Sequence, residues 1–174
     1  MNKQLREELL ARMEKEQNLR KELIDHPADI QLMMRMLEAD AQNTMWLDEI
    51  IGQYGWPTFS LVEGDGAQAA FLIVQHSPSL EFQKKCLELL EQAVKQNEAE
   101  KINLAYLTDR IHTSDGKPQI YGTQGQTNPD GSIVPFPIDD EEHVDERRKA
   151  IGLEPVAEYF KNMNESYKTG RTKR

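Results

Sequence analysis

A chain of 174 residues is long enough for one domain with a real core and short for two. A formal charge of −9 disfavours a nucleic-acid backbone as the main partner, because neutralising phosphates needs a basic face. The single cysteine, Cys86, excludes an intrachain disulfide and a cysteine-rich zinc site.

Residues 3 to 24 space Leu5, Leu9, Met13, Leu19 and Leu23 roughly three and four apart, which predicts an amphipathic helix stopped by His26-Pro27. Within it, "MEKEQNLR" sets Glu16 and Arg20 four apart with Gln17 beside them, an ion pair expected on a solvated face. The same N-terminal stretch lacks the apolar core of a secretory signal, and no apolar run approaches a membrane span, so a cytoplasmic location is expected. A second helix is predicted from Pro27 or Asp29 to Gly52, with Ile30, Met33, Met34, Leu37, Met45, Leu47, Ile50 and Ile51 as its apolar residues. Asp40, Gln42, Asn43 and Thr44 interrupt it, which implies two helices meeting or a polar patch facing a cavity. "QYGWPT" then reads as a stop and a turn: Gly55 can take positive φ, Trp56 precedes a proline, and Pro57 can open a helical turn.

Residues 65 to 76 predict a helix with Asp65 as N-cap, ended by Ser77-Pro78, and the same Ser77 is expected to cap the next helix. That helix, "SLEFQKKCLELLEQAVKQNE", keeps Leu80, Leu87, Leu90 and Val94 on one stripe and buries Cys86 as an inert thiol. Another, "KINLAYLTDRIH", runs to His112. "KPQIYGTQGQTNPDGSIVPFPI" predicts a β-hairpin around Asn128-Pro129-Asp130-Gly131, with Pro135 and Pro137 confining the returning strand to an edge. "DDEEHVDERRKAIG" predicts a helix with acids first and bases last, closed by Gly152. A final helix from about Pro155 is expected to bury Val156, Tyr159, Phe160 and Met163. The expected architecture is mainly α, a single-domain bundle of about six helices with one short β-hairpin over residues 1–164, followed by a flexible basic tail at 165–174.

Three groups of residues point to chemistry. In "GAQAAFLIVQH", Gln68 and Gln75 are seven apart on one side of an apolar helix that ends in His76, and buried amides or imidazoles are costly unless something hydrogen-bonds them. In "YLTDR", Asp109 can orient His76 as a carboxylate fixes an imidazole tautomer, and Arg110 can hold an anion. On a strand, Gln119, Tyr121 and Thr123 of "QIYGTQ" would share one face, with Gly122 allowing close approach. The histidines show no paired ligand spacing and "IDDEEHVDE" lacks the order of a calcium loop, so neither a metal nor a cofactor is expected.

The succession "YGWPT", "AQAAFLIVQH", "FQKKCLELL", "LAYLTDR", "QIYGTQ" and "VDERRKAIGLEPVAEY" resembles a bacterial family of domains of unknown function, from about the first helix to residue 160. The resemblance implies that the family's polar positions correspond to Gln75, His76, Asp109, Arg110, Gln119, Tyr121, Gly122, Thr123 and Gln124, with Trp56 and Pro57 in the turn, and it implies no activity. "MEKEQNLR" is similar to that family's first-helix pattern. The expected function is recognition, with turnover by hydrolysis or group transfer as its extension, of a small polar or anionic ligand. His76 and Asp109 would form the acid–base pair, Arg110 the anion anchor, and Gln75, Gln119 and Gln124 the amide readers, beside Trp56, Tyr121 and Thr123. The alternative is a non-catalytic protein-interaction module whose buried polar network is structural. Neither nucleic acid nor membrane is an expected partner.

Overall fold

The computed structural model describes residues 1–168 and is mainly α: seven α-helices and one two-stranded antiparallel hairpin among those residues. The chain divides into two compact units, Met1–Glu100 and the segment from Lys101 onward.

In the first unit, α1 (Lys3–Asp25) is started by Asn2, whose Oδ1 accepts from the Leu5 N–H at 3.1 Å. α2 (Ile30–Tyr54) is started in the same way by Asp29 and stops at Gly55, where φ is +76°. The polar interruption in α2 is a polar patch on one unbroken helix. Its buried face is Leu32, Asp40, Asn43, Thr44, Leu47 and Ile51, whereas Ile30, Met33, Met34, Leu37 and Met45 are exposed.

α3 (Phe59–His76) starts earlier than Asp65, and a kink at Glu63 (φ 61°, ψ 178°) divides it. Its first turn forms because the Leu61 and Val62 N–H groups return to Thr58 O, and the Glu98 carboxylate accepts from both the Ser60 N–H and its hydroxyl. Beyond the kink, Asp65 accepts from the Gly66 N–H at 2.8 Å and is gripped by Arg6 at 2.7 and 2.5 Å. Nearly every residue from Gly66 to Gln75 is buried, which makes α3 the central helix of this unit. It packs most extensively on α1, then on α2. Gly66 permits that approach: a Cβ there would lie 2.8 Å from Val62 Cβ and 3.2 Å from Arg6 Cγ.

Ser79, not Ser77, caps α4 (Leu80–Lys95), accepting from the Phe82 N–H at 3.2 Å. Ser77 precedes a proline and is held extended, and its hydroxyl instead accepts from Ser79 N and from Thr44 Oγ1. Cys86 is fully buried on α4, and burial pushes its thiol up to about 12, so it is no nucleophile.

The second unit begins with α5 (Lys101–Ser114). The hairpin is shorter than expected: β1 (Gly125–Thr127) pairs with β2 (Ile133–Pro135) in the register Gly125 to Pro135. Of "QIYGTQ", only Gln119 makes a bridge, to Ile138, and residues 120–124 form a loop rather than a strand. The helix expected from Asp139 is a short 3-10 turn at Glu141–His143 leading into α6 (Val144–Ala150), with Gly152 beyond it at φ +83°. α7 (Val156–Lys168) packs on β2, where Asn164 accepts from Ile133 N at 2.7 Å and donates to Ile133 O at 2.8 Å, so one side chain covers an open strand edge. Residues 165–168 thus belong to α7, and the rest of the expected tail lies outside the described residues.

Candidate functional site

The expected site residues fall in both units. Trp56, Gln75 and His76 are in the first; Asp109, Arg110, Gln119, Tyr121, Thr123 and Gln124 are in the second.

In the first unit, His76 closes α3 and meets a carboxylate that the sequence placed on a solvated face. Its Nδ1 lies 2.5 Å from Glu16 Oε1, and Glu16 is 1% exposed. Arg20, one turn further along α1, donates Nε to the same oxygen at 2.5 Å and reaches across to α2, donating Nη2 to Asp40 Oδ2 at 2.7 Å. Its remaining arm lies against Met36 Sδ at 3.5 Å. Three helices therefore converge on two buried acids, a guanidinium and an imidazole. One turn away, Arg12 donates to Asn43 Oδ1 at 3.2 Å and stacks 4.1 Å above the Trp46 ring. Trp56 and Gln75 are both buried in the same unit, and the Trp56 indole N–H meets no acceptor.

The four groups do not balance. Glu16 Oε2 and Asp40 Oδ1 are both buried and accept no hydrogen bond. Burial pushes the Glu16 carboxyl up, but the hydrogen bonds and charge of His76 and Arg20 outweigh it and hold the group below the ordinary carboxylate range. Asp40 goes the other way: burial, reinforced by the negative charge of Glu16, wins over the attraction of Arg20. A carboxyl raised on folding contributes stability that is fully present below its unfolded value, about 3.9, and is lost as pH rises through the folded value. The stability of Asp40→Asn relative to wild type is therefore expected to increase as pH rises from about 4 towards neutrality. Urea unfolding of both proteins across that range reads the slope, and a flat or falling difference would contradict it.

In the second unit the polar groups are closed on one another. Asp109 is fully buried on α5, and its carboxylate accepts from the N–H groups of Ile120 (2.7 Å), Tyr121 (3.0 Å) and Thr123 (2.9 Å) and from the Thr123 hydroxyl (2.9 Å). Gln119, also fully buried, donates Nε2 to Gln124 O and Phe136 O and accepts from Gln124 N through Oε1. The Gln124 amide donates to Thr123 Oγ1 at 3.0 Å. From below, Arg148 holds the loop's carbonyls, Tyr121 O at 2.7 Å and Gly122 O at 3.1 Å, while its guanidinium lies 5.0 Å from the Tyr159 ring. Gly122 sits at φ +65°, and a Cβ there would come within 2.8 Å of Ile138 Cδ1, so the close approach expected at this glycine is to the protein's own core. Arg110 and Tyr121 are half-buried on α5 and in the loop.

The chain belongs to DUF6624, a family of unknown function. The family's model matches residues 3–171, beyond residue 160, where the motifs alone ended. No curated protein and no solved structure matches the chain. Among the described residues of this DUF6624 chain, no three His, Cys, Asp or Glu side chains are grouped to hold a metal ion, and no helix is long and apolar enough to cross a membrane.

Sequence reasoning missed Asp40 as a named site residue, Glu16 as a buried one, and Arg148 altogether. For two of them a signal was present. Glu16 is seven residues after Leu9 and seven before Leu23, on the apolar stripe of α1. Asp40 and Thr44 run in step with Leu47 and Ile51 at spacings of four, three and four. Arg148 gives none, because in "DERRKA" it is indistinguishable from Arg147, which is half-buried and bonds Ile120 O.

Proposed function

We propose that this DUF6624 domain binds a small polar ligand at the Glu16–Arg20–Asp40–His76 centre, with His76 as its proton-exchanging group. The observation behind the reading is the short contact between His76 Nδ1 and an ionised, nearly inaccessible Glu16. A carboxylate in that position fixes the Nδ1–H tautomer and leaves Nε2 as the basic atom, the arrangement general acid–base chemistry requires. In this reading Glu16, rather than Asp109, orients His76, and Asp109, Gln119, Thr123 and Gln124 hold the loop. Buried ion clusters rarely stabilise a fold better than apolar residues of the same size, so a cluster linking three helices calls for a role beyond packing. Proton transfer within hydrolysis or group transfer is the chemistry this pair can support, and the net charge of −9 is in keeping with a cytoplasmic protein without nucleic-acid partners.

A second reading, a protein-interaction module, stands on the exposed apolar face of Ile30, Met33, Met34 and Leu37 on α2. A thermal-shift screen of small polar compounds on wild type and His76→Ala separates the two. A compound present at a hundred times its dissociation constant adds about 2.7 kcal/mol, or roughly 5–10 °C for a chain of this size. A shift of that size in wild type that vanishes in His76→Ala supports the first reading. A lowered melting temperature in the variant, with no compound that discriminates, supports the second.

A further inference from the structure

We infer that the group this centre receives is a hydrogen-bond-donating cation, an ammonium or amidinium, bridging Glu16 Oε2 and Asp40 Oδ1. The inference rests on the proposed function and names the chemical class of its ligand.

Three observations support it. Two buried acceptors lack partners, one on each carboxylate of a cluster whose Arg20 already joins their other oxygens. A buried acceptor left unmade costs about 1–3 kcal/mol, and more for a charged group, so two of them on neighbouring acids favour a donor between them. The charge agrees: two carboxylates against one guanidinium leave one negative charge when His76 is neutral, which a monocation removes. An anion would have to lie against two carboxylate oxygens. Accessibility orders the cluster: the acids are 1% and 5% exposed, and Arg20 and His76, at 25% and 11%, are its members closer to solvent.

The test uses the full chain and methylammonium chloride as probe, with the side-chain carboxylate carbons of Glu16 and Asp40 followed by NMR at constant ionic strength. Both signals are expected to shift saturably. Tetramethylammonium, which has the charge but no N–H, is expected to give no saturable shift. Asp40→Asn is expected to weaken methylammonium binding by about tenfold or more, the loss of one charge-assisted hydrogen bond. Glu16→Gln provides the same comparison at the other oxygen. Linear or absent shifts with methylammonium, or equal shifts with tetramethylammonium, would overturn the inference. Saturable shifts at His76 with sodium acetate or inorganic phosphate instead would overturn the cation and leave the binding centre standing. Silence with every probe, together with a featureless compound screen, would remove both.

Discussion

Replacing Asp109 with alanine is expected to lower the unfolding free energy by about 3–5 kcal/mol, the cost of withdrawing a buried charged partner from the groups that bind it. The carboxylate accepts from three backbone N–H groups within four residues and from the Thr123 hydroxyl. Ile120 and Tyr121 are half-buried, so water can compensate part of the loss there; Thr123 is 3% exposed, and its N–H is stranded. Urea unfolding measures the total. Hydrogen exchange at the amides of residues 120, 121 and 123 measures the cause, since these are expected to exchange fastest relative to wild type. A loss below about 1 kcal/mol would mean that the loop holds its shape without Asp109.

Glu16→Ala carries an effect of similar size in the first unit. Its removal takes one oxygen away from Arg20 Nε and His76 Nδ1 together and leaves the guanidinium and imidazole facing a void, for about 3–5 kcal/mol by chemical denaturation. The two sites then part company. Asp109 holds backbone, which no apolar side chain can do; Glu16 holds only side chains, which apolar residues can replace together.

That distinction explains how much was legible beforehand. Apolar spacing gave the positions of α1, α2, α4, α5 and α7, because a helix is a local object; the capping residues were less legible, since Asn2 was not named and Ser77 was expected where Ser79 caps α4. His76 was legible as a polar group at the end of an apolar helix. Its partner was not, because an i, i+4 Glu16–Arg20 pair reads as surface unless its place on the apolar stripe is weighed first. The strand expected at Gln119–Thr123 failed for a related reason: alternating polar residues imply one wet face, but here the Gln119 amide is turned to the backbone of its own loop and hairpin and the Thr123 hydroxyl to the buried Asp109 carboxylate. α6 was overextended at its start because the acids of "DDEE" suit a helix N-terminus, whereas Asp140 takes a left-handed conformation at φ 46° and stops the helix short.

The central claim is that the ion cluster of the first unit is kept for binding rather than for folding. The direct measurement is the melting temperature, with methylammonium binding, of a chain carrying Glu16→Met, Arg20→Met, Asp40→Leu and His76→Leu together. The expected result is a melting temperature at or above that of wild type, because replacing a buried ion network with well-packed apolar residues is neutral to stabilising by about 1–4 kcal/mol, alongside complete loss of probe binding. A chain that melts well below wild type, or that binds the probe unchanged, would contradict the claim.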